Sequence, residues 1–210
     1  FSVTIDTNIP AKPVITAISD DTAGTSASDG ITSDQSLIFT GTADANTTVE
    51  IFIDNNLIGT TTADGFGAWS FDHSGSPLAN GSFAVTAKAT NIAGNSSDPS
   101  DAFNVTVDTL APTIAIDNAI SNDTGANTTD HLTSDQELVL TGSVSDANVI
   151  DRVQIFDDNG LTLLGDATVT GGTWSFITPT LTEGDHSLTA TASDSAGNTT
   201  TTTALDVRVD

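Results

Sequence analysis

The sequence predicts an all-β chain built from one unit repeated twice, and three observations carry that prediction. Val3-Thr4-Ile5-Asp6, Val105-Thr106-Val107-Asp108 and Val207-Arg208-Val209-Asp210 are versions of one phrase, and their aspartates stand 102 residues apart. Self-similarity at a fixed period signals tandem units, and units of this size bury about 60–65% of their unfolded surface and fold alone. Apolar and polar residues alternate with period two, as in Ala84-Val85-Thr86-Ala87-Lys88-Ala89, and no stretch keeps a helical period. Short runs rich in Thr, Val, Ile and Phe are separated by Asp/Asn/Gly clusters, which is strand and turn chemistry.

In the first unit the pattern places strands near 13–18, 36–42, 48–54, 57–63, 67–72, 82–90 and 101–107. Asp54-Asn55-Asn56, Asp64-Gly65, Ala79-Asn80-Gly81 and Ala93-Gly94-Asn95 are the turns between them. Seven strands with regular turn signals in about 100 residues argue for a β-sandwich of Ig-like type. The Cys…Trp…Cys arrangement of antibody domains is absent, so strand count and spacing carry the assignment.

The second unit repeats the first in order. Thr32-Ser33-Asp34-Gln35 returns as Thr133-Ser134-Asp135-Gln136, and Asp44-Ala45-Asn46 as Asp146-Ala147-Asn148. Val49-Glu50-Ile51-Phe52 returns as Val153-Gln154-Ile155-Phe156, Trp69-Ser70-Phe71 as Trp174-Ser175-Phe176, and Ala93-Gly94-Asn95 as Ala196-Gly197-Asn198. The expected divisions are a tail strand of a preceding repeat with its linker at 1–7, domain one at 8–107, a linker at 108–112 and domain two at 113–210. Pro112 lacks an N–H and restricts Ala111, which makes Leu110-Ala111-Pro112 a break before a new strand. The chain reads as a piece of a longer tandem array.

The charge is strongly one-sided: 28 acidic against 4 basic residues, a formal −24. Nucleic acid and anionic membrane surfaces are negative and make poor partners. A hydrophobic fraction of 37% is globular, no apolar window is long enough to span a bilayer, and no basic-then-apolar leader is present, so a soluble segment is expected. Cysteine is absent, so an extracellular domain here is held by its core and by ions rather than disulfides.

With strands running in sequence, each sandwich gathers the chain entry and the loops at 43–47, 64–66 and 91–98 at one end. The loop 19–34, the turn 54–56, the loop 73–81 and the exit at Asp108 gather at the other. The junction then collects oxygen donors from Asp20, Asp21, Asp29, Asp34, Asp108, Asp146, Asn148, Asp151, Asp194 and Asn198. Repetition gives Asp6 and Asp44 the same places at the first unit's entry end, and Asp123 the place of Asp21. Two carboxylates about 5 Å apart repel by roughly 3 kcal/mol at an effective dielectric near 20. Calcium resolves such a cluster, because it takes six to eight oxygens in flexible geometry, whereas magnesium demands a strict octahedron. The plain alternative is that the acidic loops are only solvated turns. No contiguous EF-hand or glycine-rich nonapeptide motif is present, so the ligands have to come from separate loops.

Other chemistries find little support. Trp69 and Trp174 sit in apolar strands and read as core rather than as a sugar platform. His73, His131 and His186 occupy non-equivalent positions and read as incidental, with no zinc partners. Nucleophile-elbow, P-loop and dinucleotide fingerprints are absent, and no enzyme is expected.

These residues resemble a known family: the bacterial Ig-like repeats of very large RTX-type adhesins and biofilm proteins. Val107-Asp108-Thr109-Leu110-Ala111-Pro112, Asn122-Asp123-Thr124-Gly125 and Leu132-Thr133-Ser134-Asp135 carry the resemblance. So do Gly172-Thr173-Trp174-Ser175-Phe176, Leu181-Thr182-Glu183-Gly184 and Asp194-Ser195-Ala196-Gly197-Asn198. It covers nearly the whole chain twice. It implies an extender segment on the bacterial cell surface, monomeric, with neighbouring repeats as partners and calcium stiffening the junctions. Unit one departs from the pattern at Asn91-Ile92-Ala93-Gly94-Asn95, where asparagine stands for the aspartate, and at Asn8-Ile9-Pro10-Ala11-Lys12-Pro13. The alternative function is a module whose loops bind a glycan or host protein, for which the unmatched loop His73-Ser74-Gly75-Ser76-Pro77-Leu78 is the one hint.

Overall fold

The structure, a computed structural model, describes residues 5–21, 28–124, 127 and 129–210. The start of the expected tail strand, Phe1–Thr4, and parts of the two acidic loops (22–27, 125, 126 and 128) lie outside the described residues. The chain divides into two compact units, Phe1–Thr109 and Leu110–Asp210.

Unit one is a two-sheet sandwich. One sheet has the order β1-β3-β6, from β1 (Val14–Ile18), β3 (Ile38–Thr42) and β6 (Ala68–Asp72). The other has the order β2-β8-β7-β4-β5, from β2 (Ile31–Thr32), β4 (Thr48–Ile53), β5 (Asn56–Thr62), β7 (Gly81–Thr90) and β8 (Phe103–Val107). All seven expected strands form, with ends within two residues of expectation. β2 is an addition: two residues that pair parallel with β8, Ile31 opposite Thr106 and Thr32 opposite Val107. Two residues are too few to show a period, so only the distant partner defines this strand.

Unit two repeats the plan. β9 (Thr113–Ile116), β11 (Val139–Ser145), β14 (Thr168–Thr170) and β15 (Thr173–Ile177) form a sheet of order β14-β15-β11-β9. β10 (Leu132–Thr133), β12 (Ile150–Asp157), β13 (Thr162–Asp166), β16 (Gly184–Asp194) and β18 (Leu205–Val209) form the second, with β17 (Thr199–Thr201) paired to β16.

Alternation builds each core. Val49, Ile51 and Ile53 of β4 and Val85, Ala87 and Ala89 of β7 all point inward and are buried, while their sequence neighbours face out. Each buried Val, Leu or Ile contributes about 1.5–3 kcal/mol relative to leaving it in water. Unit two does the same with Val153, Ile155, Leu188 and Val207. Both tryptophans lie in these cores, Trp69 at 4% and Trp174 at 2% exposure. Each ring lies over a glycine: a Cβ on Gly41 would stand 2.3 Å from Trp69 Cζ2, and one on Gly142 would stand 2.6 Å from Trp174 Cε2. The Thr-Gly pairs at 40–41 and 141–142 are therefore the floor of the indole slots.

The hairpin β4–β5 turns on Asp54 and Asn55 with φ of 50° and 66°, the pair of positive values that a type I′ turn requires and that Asp and Asn tolerate. Hydrogen bonds fix the loop ends. At one pole of unit one, Ala43 N–H donates to Gly67 O and Asn46 N–H to Ala63 O. At the other, Asp108 N–H donates to Thr32 O, Leu78 N–H to Gln35 O and His73 N–H to Leu37 O.

Candidate metal centre

The entry pole of unit two is made by the loop after β11, the loop after β16 and the start of β9. Thr113 pairs with Ser145, so β9 begins beside the residue that precedes Asp146. Asp146 starts an Asx turn, its Oδ1 accepting the Asn148 N–H at 2.7 Å. Ser195 N–H donates to Val149 O, which ties the two loops together. Asp194 ends β16 with no exposed surface. Its Oδ1 accepts the Asn198 N–H and its Oδ2 the Asn198 Nδ2, both at 2.9 Å. Asp146 and Asp194 each bring a carboxylate oxygen within 4.8 Å of the other.

This donor set suits a hard divalent cation. It is two carboxylates with asparagine amides beside them, and it holds no imidazole or thiolate to favour zinc or copper. A buried carboxylate with a second one this close is costly without compensating charge.

In unit one Asp44 holds the place of Asp146 and Asp6 that of Asp108, and both accept backbone N–H groups of the entry segment. Asp6 Oδ1 accepts the Asn8 N–H at 2.9 Å, and Asp44 Oδ2 accepts the Ala11 N–H at 2.9 Å. Asp20 and Asp21 lie at the opposite pole of unit one, and Asp123 at the opposite pole of unit two. Asp20 takes φ of 53° in a turn that Asn122 repeats at 57°, and its carbonyl accepts the Thr32 hydroxyl. Asp21 is buried, its Oδ2 accepting the Gly30 N–H at 3.1 Å, while Asp123 Oδ2 accepts the His131 N–H at 3.0 Å. In both, Oδ1 is buried without a hydrogen-bond partner among the described residues. Asp108, at the end of β8, belongs to unit one, and its N–H is held by Thr32 as described above.

The loop at 73–78, the one hint of a binding surface, is largely tied down. Leu78 packs against the core, and the His73 ring lies 6.2 Å from that of Phe71.

His186 corrects the reading of the histidines as incidental. Its Nδ1 lies 2.5 Å from Asp157 Oδ2 and its Nε2 2.8 Å from Thr182 O, so both ring nitrogens face acceptors. Asp157 Oδ1 in turn accepts the N–H groups of Asp158 and Ser187. Burial opposes the charged imidazolium, but the Thr182 carbonyl, the Asp157 hydrogen bond and the charges of Asp157 and Asp158 outweigh it and raise the pKa. The folded state therefore holds a proton that the unfolded chain has released. The resulting stability is complete below about pH 6.5 and is lost as pH rises through the folded value. In chelator, the melting temperature of unit two falls between pH 6 and pH 8. The double variant Asp157→Ile/His186→Phe, which installs the residues of unit one, flattens that slope in calorimetry; an unchanged slope places the effect elsewhere. A concavity of about 480 Å³ beside this pair is lined by Asp130, Asp158, Asp185, Asp206 and Arg208. Asp185 is paired with Arg208 at 2.8 Å, and Asp206 accepts the Ser187 hydroxyl, so internal partners already engage its walls.

Comparison with known proteins follows the same two-unit division. The family of bacterial Ig-like domains matches residues 8–109 and again 110–210. Among solved structures, the fibronectin(III)-like modules of CbhA from Clostridium thermocellum match with a TM-score of 0.52 at 17% identity, covering 94% of each chain. A Ca2+-stabilized adhesin with which an Antarctic bacterium binds ice is 24% identical over 98% of this chain and 50% of its own, with a TM-score of 0.42. A 1.5-MDa bacterial ice-binding adhesin is 23% identical over 96% of this chain and 66% of its own, with a TM-score of 0.41. At these identities the likeness is one of fold. No curated protein matches the chain.

Proposed function

The chain belongs to the family of bacterial Ig-like domains, as two tandem repeats, and from that premise we propose that it is a spacer segment of a large bacterial surface adhesin, braced by calcium where one repeat meets the next. Its partners are the neighbouring repeats of its own chain, and its place is outside the cell. The observation that carries this reading is the pair Asp146 and Asp194, with carboxylate oxygens within 4.8 Å and Asp194 fully buried. A loop that only needs to be soluble has no reason to bury one carboxylate against another.

Asp146 and Asp194 anchor the ion in unit two, with Asn148 and Asn198 holding the two carboxylates in place by the hydrogen bonds described above. Asp108 supplies a third carboxylate from unit one. Four residues, Thr109-Leu110-Ala111-Pro112, separate it from Thr113 at the start of β9, and five peptide units reach at most about 17 Å. A calcium ion there supplies the positive charge that the three carboxylates lack, and calcium sites of extracellular modules have Kd values of about 10⁻⁴–10⁻³ M. Asp20 and Asp21, on the loop that packs beside Asp108 through Thr32, and Asp123 at the same position of unit two, serve the same chemistry at the exit poles. The buried Oδ1 atoms of Asp21 and Asp123, without a partner among the described residues, support that assignment.

Small-angle scattering and melting in millimolar calcium and in chelator test the proposal. Calcium raises the melting temperature and narrows the spread of maximum dimensions, and Asp108→Ala loses the second effect while both units stay folded. A parent chain indifferent to calcium in both measurements overturns it.

A further inference from the structure

The two entry poles are not equivalent, and one residue separates them. The turn Ala93-Gly94-Asn95 of unit one matches Ala196-Gly197-Asn198 of unit two, which sets Asn91 where Asp194 stands. Asn91 Oδ1 accepts the N–H groups of Ala93 and Asn95, both at 3.0 Å, just as Asp194 Oδ1 accepts that of Asn198. The turn is therefore conserved between the units, and the difference is confined to the second terminal atom. In Asp194 that atom is an oxygen, which accepts the Asn198 side-chain amide. In Asn91 it is Nδ2, which donates to Asn8 O at 2.8 Å and to Asp6 Oδ2 at 3.3 Å.

A second change follows from the first. Asn95 corresponds to Asn198, but its Nδ2 no longer has a carboxylate at position 91 to donate to. It donates instead to Asp6 O at 3.0 Å. Asp44, the counterpart of Asp146, accepts Ala11 N–H. The segment from Asp6 to Ala11 is thus fastened to the body of unit one by two side-chain amides and one carboxylate. A positive N–H end meets Asp6 where unit two presents an anion.

We infer that Asn91 does by hydrogen bonding what a cation does at the other unit: it makes the entry pole of unit one a cation-independent clamp on residues 6–8, so that of the two entry poles unit two's alone responds to calcium. The inference rests on the reading of Asp194 as a cation ligand for its second half, and on the hydrogen bonds of Asn91 and Asn95 alone for its first. An amide that donates to a carboxylate makes a charge-assisted bond and needs no dissolved ion, so this pole stays closed in calcium-poor medium. The chain then carries one fastening that salt chemistry controls and one that it does not.

The test uses the full chain, calcium as the probe, native mass spectrometry to count ions and hydrogen exchange to follow the amides of Asn8 and Ala11. In the parent, exchange at these two amides is the same in calcium and in chelator. Asn91→Asp removes both hydrogen bonds of the Asn91 Nδ2 and sets a charge against Asp6, so in chelator the two amides exchange roughly tenfold faster. In calcium, the variant takes up one more ion than the parent and protection returns. Asn91→Ala accelerates exchange in both media and gains no ion, which separates the clamp from general loosening of the loop. The reciprocal variant Asp194→Asn loses one ion. Calcium-dependent protection of Asn8 in the parent overturns the inference, as does an Asn91→Asp variant protected like the parent in chelator. An Asn91→Asp variant that gains no ion although the parent binds ions overturns the equivalence with a cation. A parent that binds no calcium, with Asn91→Asp still loosening the segment, overturns the cation reading of Asp194 and leaves the clamp standing.

Discussion

Trp174→Ala lowers the stability of unit two by about 3–5 kcal/mol, a large share of the roughly 5–15 kcal/mol that holds a domain of this size together. The indole is fully enclosed, lies in the slot that Gly142 leaves, and its Nε1 donates to Ala115 O at 3.1 Å. It therefore joins β15 to β9 across β11, and alanine leaves a hole that neither sheet can close. The two tryptophans also differ in a way that a milder change exposes. Trp69 Nε1 is buried without a partner among the described residues, in a unit whose first strand carries a register shift between Ile15 and Ala17 that β9 lacks. Trp69→Phe removes an unsatisfied N–H, whereas Trp174→Phe breaks a bond, so the second costs about 1–3 kcal/mol more. In each variant the remaining tryptophan reports the untouched unit by fluorescence, and calorimetry assigns the transition that moves. Equal losses from the two phenylalanine variants refute the argument from Nε1.

The sequence carries most of this fold because period-two alternation and turn residues are local signals. Val49-Glu50-Ile51-Phe52-Ile53 and Asp54-Asn55 announce a strand and its hairpin without reference to anything distant. What it does not carry depends on partners far along the chain. Ile31–Thr32 is a strand only because Thr106 and Val107 lie beside it. The same holds for the pair of Asp157 and His186. Register aligns these with Ile53 and Phe83 of unit one, both apolar and packed in or against that core. An acid and a histidine in place of two apolar residues was the available signal, visible once the units are laid strand against strand. At the candidate metal centre, residue types pointed to oxygen chemistry, but which carboxylates approach one another depends on loop closure. Asp146 and Asp194 are brought together within unit two. In unit one Asp44, the counterpart of Asp146, accepts the Ala11 N–H, and the position of Asp194 holds Asn91. Asn91 explains the difference.

Asp146→Asn has opposite effects on unit two in the two media. Asparagine keeps the Oδ1 that accepts the Asn148 N–H, so the turn survives and only the charge is lost. In chelator, the parent holds two ionised carboxylates with oxygens within 4.8 Å, a repulsion of up to roughly 3 kcal/mol at an effective dielectric near 20. Asp146 is partly exposed, which screens part of it, so relief by the variant is about 1–2 kcal/mol of added stability. In calcium at ten times Kd, the bound ion adds about 1.4 kcal/mol to the parent, and the variant, short of a carboxylate ligand, forgoes most of that. A chelator melt thus ranks the variant above the parent, and as calcium is raised to saturation the parent's gain offsets and then overtakes the relief. Asp44→Asn, the same exchange in unit one, shows no crossing, because Asp44 faces the Ala11 N–H rather than a second acid. Melting curves over a calcium series decide it. A variant that keeps one rank from chelator to saturating calcium shows that Asp146 senses no ion. A crossing for Asp44→Asn as well shows that general charge reduction, not the geometry of one pole, sets the response.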